Sequence, residues 1–261
     1  MRNAPAYVPG HQLLAGKSIL ITAAAGAGIG YAAAKRCAEE GCRALMISDI
    51  HPRRLEEAVE RLKQETGLAA IYGQLCNVTD EAQVQALVAA AEEVLGGVDV
   101  LINNAGLGGQ KRVTEMTDGE WQSVLDITLT GTFRMTRAML PHMEKRGAGA
   151  IVNNASVLGW RAQKEQAHYA AAKAGVMALT RCSALEAAES GVRINAVAPS
   201  IALHDFLKKA ASPELLQQLA GQEAFGRAAE VWEVANVMVF LASDYASYMV
   251  GEVLPVSSQQ A

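Results

Sequence analysis

A junction of small residues lies between a short β-rich run, Lys17 to Thr22, and an Ala-rich helical segment, Ile29 to Glu40. It reads Ala23-Ala24-Ala25-Gly26-Ala27-Gly28-Ile29-Gly30. Small residues let the backbone approach a ligand, and the N-terminus of a helix offers free N–H groups and partial positive charge to a pyrophosphate. Gly26, Gly28, Ile29 and Gly30 are therefore candidate cofactor contacts. A second apolar run, Ala44 to Ser48, ends at Asp49, about 20 residues beyond the glycines. A carboxylate there can accept both ribose hydroxyls of an adenosine and repels a 2′-phosphate, which favours NAD over NADP. Arg53 and Arg54 follow closely, and their position assigns them to the start of the next helix.

The rest of the chain repeats strand and helix. Helical signals cover Pro52 to Glu65, the segment from the Asp80 cap to Leu95, Asp118 to Lys145, Gln166 to Ser190, Pro213 to Leu219, and Ala229 to Leu241. Strand signals cover Ala69 to Cys76, Val98 to Ile102, Ala150 to Asn154, Val192 to Val197, and Glu252 to Val256. Apolar strands joined through helices imply an α/β, Rossmann-type doubly wound parallel sheet with helices on both faces. Residues 1–261 read as one domain, with 1–16 as an N-terminal extension and 199–226 as a substrate lid.

Composition removes other classes. The chain has 261 residues, is 51% hydrophobic, and carries a net charge of only -4, so no basic footprint for nucleic acid exists. No apolar run reaches the roughly 20 residues of a membrane span. The N-terminus has no apolar signal core, so a cytoplasmic location is expected. Cys37, Cys42, Cys76 and Cys182 form no C-x-x-C pair and read as reduced residues. His51, His142, His168 and His204 lack metal spacing, so no catalytic metal is expected.

Tyr169 and Lys173 are four apart on one helical face, and Ser156 lies just past a strand end. A phenol with an ordinary pKa near 10 is a poor base at neutral pH. A neighbouring ammonium favours the phenolate, and a serine hydroxyl can hold a carbonyl or alcohol oxygen. The trio fits proton transfer during interconversion of a secondary alcohol and a ketone.

At this point the chain resembles the short-chain dehydrogenase/reductase family over Leu14 to Val256. The matching pieces are Gly28-Ile29-Gly30, Asn103-Asn104-Ala105-Gly106, Ser156 with Tyr169 and Lys173, Arg193-Ile194-Asn195 leading to Pro199, Phe240-Leu241-Ala242-Ser243-Asp244, and Gly251. The resemblance implies a seven-stranded parallel sheet, a homotetramer and an NAD(H)-dependent oxidoreductase. It makes Tyr169 the general acid/base, Lys173 the holder of the nicotinamide ribose that lowers the Tyr169 pKa, and Ser156 the residue positioning the reacting oxygen. It also implies cofactor contacts at Asn77, Val78, Asn104, Ala105, Gly106, Pro199 and Ala202.

Some positions depart from the family pattern. Thr-Gly becomes Thr22-Ala23, the adenine-facing Asp becomes Asn77, and Pro-Gly becomes Pro199-Ser200. The Thr beside the nicotinamide amide becomes His204, and the C-terminal Asp-Gly-Gly becomes Ser257-Ser258-Gln259. The fourth catalytic residue, an Asn that organises a water in a proton relay, is Thr128 here. Thr128 either keeps a place in that relay or bonds to a helix carbonyl at a local bend.

Thr22-Ala23-Ala24-Ala25-Gly26, Asn104-Ala105-Gly106-Leu107-Gly108-Gly109 and the stretch from Asn153 to Ala162 resemble a narrower bacterial subgroup. Its members act on coenzyme A thioesters of the indane remnant of steroid C and D rings. In that reading Leu158, Trp160, Phe206 and Leu207 supply apolar contact, and Arg161, Lys164, Lys208 and Lys209 meet coenzyme A phosphates. Two alternatives stand beside it. One is a 3-oxoacyl thioester reductase of lipid metabolism; the other is a catalytically silent nucleotide-binding sensor or scaffold.

Overall fold

The computed structural model describes residues 3–204 and 212–258. Phe206, Leu207, Lys208 and Lys209, part of the expected lid, and Gln259 lie outside the described residues. The first half alternates β1 (Ser18–Ile21), α1 (Ile29–Glu39), β2 (Ala44–Asp49), α2 (Pro52–Thr66), β3 (Ile71–Leu75), α3 (Glu81–Leu95) and β4 (Val100–Asn103). The second half contains α4 (Asp118–Leu125), α5 (Gly131–Arg146), β5 (Gly149–Asn154), α6 (Ala167–Ala188) and β6 (Val192–Pro199). After a short strand β7 (Ala202–Leu203) come α7 (Pro213–Gly221), β8 (Ala229–Glu230), α8 (Val231–Ala242) and β9 (Val253–Val256).

Seven strands pair in the order β3-β2-β1-β4-β5-β6-β9. Every pair is parallel. β1 and β2 are buried along their whole length, as a sheet covered on both faces requires. One core layer joins Ile19, Ile21, Ile47 and Val100 to α1 and α8. The other joins Leu20, Met46, Leu101 and Ile151 to α3, α5 and α6. The strand order reverses between β1 and β4, and a doubly wound sheet opens its ligand crevice at that switch point.

Local signals account for several boundaries. Asp80 caps α3 by accepting from the N–H groups of Ala82 and Gln83. Thr117 and Glu120 form a capping box on α4. The helix expected over Asp118 to Lys145 is interrupted by a π-helical stretch, Asp126–Thr130. Such insertions widen a helix locally. Here Gly131 follows the widened turn against Val78, whose Cγ2 would be 2.7 Å from a Cβ on Gly131.

The N-terminal extension lies against α1. The buried Arg36 guanidinium donates to the carbonyls of Val8 and Pro9 and pairs with the buried Glu40. Glu40 in turn accepts from the N–H groups of His11 and Leu13.

Candidate active site

The glycine turn is locked from the β4 side. Thr22 Oγ1 accepts from the N–H groups of Asn104 (3.0 Å) and Ala105 (3.1 Å). Asn104 Nδ2 donates to the Ala23 carbonyl at 2.9 Å. Gly30 has to be glycine at this spacing, because a Cβ would lie 2.4 Å from Asn104 Nδ2 and 2.6 Å from the Ala23 oxygen. Ala23 adopts φ +51°, in the left-handed region that glycine occupies at lower energy. The alanine that replaces the family glycine thus keeps the glycine conformation.

α1 begins at Gly28 with no side-chain cap and no acidic residue in its first turn. Its N–H groups are left for an anion, so the turn fits a dinucleotide pyrophosphate. Asp49, at the end of β2, faces the glycine turn. It accepts from the N–H groups of Ala25 (3.3 Å) and His51 (3.1 Å). Burial pushes its pKa up, opposed by the Ala25 N–H and the Arg54 charge. Arg54 belongs to α2, yet its guanidinium comes within 3.8 Å of Asp49.

Other expected contacts have local engagements. Asn77 Oδ1, offered as an adenine acceptor, accepts from the N–H and the hydroxyl of Thr79. Val78 is buried, as are Pro199 at the end of β6 and Ala202 at the start of β7. His204 stands 3.8 Å from the place of a Cβ on Gly28, so the segment after β6 reaches the glycine turn.

Ser156, Tyr169 and Lys173 come together. Ser156 starts a short 3-10 turn, its Oγ accepting from the Leu158 N–H at 3.2 Å. Its hydroxyl also acts to lower the pKa of the Tyr169 phenol. Lys173 Nζ lies 5.5 Å from the Tyr169 ring centroid and donates to the Asn154 carbonyl. Asn154 Nδ2 donates to Asn104 Oδ1 at 3.0 Å. A chain of contacts therefore runs from Lys173 through Asn154 and Asn104 to Ala23.

The expected direction of the Tyr169 shift is not found. Burial pushes the phenol up to about 12, against the opposing Ser156 hydroxyl. Burial also pulls Lys173 down to about 7. A low-dielectric site disfavours the charged form of both groups, and burial is the largest cause of each shift.

Thr128 is fully buried in the π-helical stretch. Its hydroxyl accepts from the Leu107 N–H (3.0 Å) and donates to the Leu107 carbonyl (3.3 Å). It does not bond to a carbonyl of its own helix. A Cβ on Gly106 would have Lys173 Nζ at 3.5 Å and Thr128 Oγ1 at 3.8 Å, so the bare glycine keeps the space between them open.

Residue-by-residue reading overlooked Asn154, which only the paired strands bring beside Asn104, and His168. His168 is almost fully buried next to Tyr169 and lines a cavity of about 350 Å³ with Gly108, Gly109, Lys111 and Glu120. The Gly108-Gly109 pair was the available signal. Of the residues expected to meet substrate, Trp160 is exposed at the end of the 3-10 turn, as are Arg161 and Lys164. Among the described residues no group of three or more His, Cys, Asp or Glu residues could hold a metal ion. No described helix is long and apolar enough to cross a membrane.

A family model described as enoyl-(acyl carrier protein) reductase matches residues 23–258. The chain belongs to the short-chain dehydrogenase/reductase family. It is an oxidoreductase of the kind that uses a nicotinamide cofactor.

A Mycobacterium tuberculosis protein named (5R,7aS)-5-hydroxy-7a-methyl-1-oxo-2,3,5,6,7,7a-hexahydro-1H-indene-carboxyl-CoA reductase is 60% identical, covering 98% of this chain and 97% of that one. The cis-4-hydroxycyclohexanecarboxylate dehydrogenase of Sinomonas cyclohexanicum is 39% identical over 91% of this chain and 94% of its own. A 3-oxoacyl-(acyl-carrier-protein) reductase of Staphylococcus aureus is 36% identical over 92% of this chain and 96% of its own. Among solved structures, a short chain dehydrogenase from Mycobacterium smegmatis is 54% identical with a TM-score of 0.88, covering 99% of each chain. Levodione reductase is 35% identical with a TM-score of 0.89, covering 94% of this chain and 97% of that one.

Proposed function

We propose that this oxidoreductase interconverts a ring hydroxyl and a ring ketone on a coenzyme A thioester of the steroid-derived indane type, with NAD(H). The relative that is 60% identical over almost the whole of both chains carries the substrate class. The acidic Asp49 at the end of β2 supports NAD over NADP. The second reading, 3-oxoacyl thioester reduction, has the S. aureus relative in its favour at 36% identity.

A bound nicotinamide supplies or accepts the hydride. The α1 N-terminus and Gly26, Gly28, Ile29 and Gly30 would hold its pyrophosphate, and Asp49 its adenosine ribose. Asn104, Ala105 and Gly106 would line its cleft, and Lys173 would hold the second ribose. Ser156 holds the reacting oxygen of the substrate. Tyr169 gives its phenolic proton to that oxygen in reduction and takes it back in oxidation. At neutral pH the Tyr169 phenol is protonated, so it enters reduction as the acid. Thr128 acts as a positioning residue that holds the Leu107 backbone, and with it the loop carrying Gly106 and Gly108.

The same reading places the protein in the cytoplasm as a homotetramer, with a small molecule as its partner.

The test is turnover of a hydroxy-indane-carboxyl-CoA and its keto form with each cofactor. Turnover of the ring compounds with a clear preference for NAD is expected. Activity confined to linear 3-oxoacyl thioesters would replace this reading with the second one.

A further inference from the structure

His168 is 3% exposed. Its Nδ1 is sealed off from the cavity, so the ring can meet a ligand only through Nε2, the atom that faces Gly109. The ring lines the cavity of about 350 Å³ formed by the loop after β4 and the first turns of α4. That volume lies in the range of small-molecule sites.

The loop wall is built around this imidazole. Neither Gly108 nor Gly109 has a positive φ, so neither glycine is demanded by its backbone conformation. A Cβ on Gly109 would lie 3.1 Å from His168 Nε2, and one on Gly108 would touch the Tyr169 ring at 4.0 Å. The two bare positions thus connect His168 to the reacting phenol along one wall. On the far side Lys111 pairs with Glu120 at 3.3 Å, so these two charges satisfy each other. Gln110 and Ser123 line the same cavity, and His168 is the most deeply buried of its polar side chains.

Resting on the reading that the substrate is an oxo-indane thioester, we propose that His168 is a specificity-determining residue. It hydrogen-bonds a carbonyl oxygen on the ring remote from the reacting carbon, which is seated in the cavity beside Gly108 and Gly109. Tyr169 and His168 are consecutive, so one turn of α6 would sense both oxygenated ends of a rigid bicyclic substrate.

The experiment compares kcat/KM for the hydroxy-oxo-indane-carboxyl-CoA with that for the analogue bearing a methylene in place of the remote ketone. The unmodified protein should prefer the oxo compound by about tenfold or more, the worth of a hydrogen bond in an enclosed site. His168→Phe should abolish that preference through KM, while NADH binding, followed by fluorescence, persists. His168→Gln keeps a donor and should retain part of the preference. Gly109→Ala leaves His168 in place but crowds its Nε2, and should lower the preference too. Turnover of both compounds with the same ratio in His168→Phe, His168→Gln and the unmodified protein overturns this inference and leaves the proposed function standing. Failure of the unmodified protein to act on either compound overturns both.

Discussion

Lys173 Nζ donates to the backbone carbonyl of Asn154 and so ties α6 to the end of β5 beside the glycine turn. The price of enclosing this ammonium is a pKa pulled down from 10.5 to about 7. The unfolded chain keeps the Lys173 proton up to about 10.5, and the folded chain releases it near 7. Across that window the unfolded state binds more protons, so stability rises with pH. Above about 9 the sign reverses, because burial raises the Cys37, Cys42 and Cys76 thiols from 9.0 and Tyr169 from 10.0, and the folded state then binds more protons. Thermal midpoints should therefore climb from pH 7 to 8 in the unmodified protein and climb less in Lys173→Met. Parallel curves for the two proteins would contradict this account.

Tyr169→Phe removes the phenolic proton and keeps the ring against Gly108. A loss of about 100-fold or more in kcat is expected, with NADH affinity nearly unchanged. Near-native turnover would remove Tyr169 from the proton transfer.

Asp49→Ala removes the carboxylate that rejects a 2′-phosphate. The NAD-over-NADP ratio in kcat/KM should narrow by about tenfold or more, in proportion to a lost charge-assisted bond. Arg54, already within 3.8 Å of Asp49, becomes free to meet the added phosphate. An unchanged ratio would place cofactor choice elsewhere.

Thr128→Val leaves the Leu107 N–H and carbonyl without the hydroxyl that joins them. Stability should fall by about 1–3 kcal/mol, and KM should rise as the loop after β4 loosens. The substrate deuterium isotope effect and its pH profile should stay as they are. A change in either would show that Thr128 takes part in the proton relay.

Arg36→Met leaves the carboxylate of Glu40 buried beneath the N-terminal extension without its cation. The expected loss is about 3–5 kcal/mol of stability, as for other broken buried pairs. Chemical denaturation measures it, and a change under 1 kcal/mol would show that the extension does not depend on this pair.

The sequence by itself determined the order of elements, since apolar strands and helix-periodic segments alternate along the chain. It also carried the glycine junction, Asp49, the Asp80 cap, and the Ser156, Tyr169 and Lys173 spacing, because each depends on residues near in sequence or on a motif of fixed spacing. Only the tertiary structure decided the π-helical turn at Thr128, where packing of Gly131 on Val78 acts on a segment whose periodicity reads as one helix. The bond from Asn154 to Asn104 exists because parallel pairing puts β5 beside β4. The direction of the Tyr169 shift also belongs to packing. Spacing shows that an ammonium lies near a phenol, but desolvation depends on what surrounds both, and here burial raises the phenol. His168 became a candidate for the same reason: its cavity is formed by a loop and a helix end brought together by the fold.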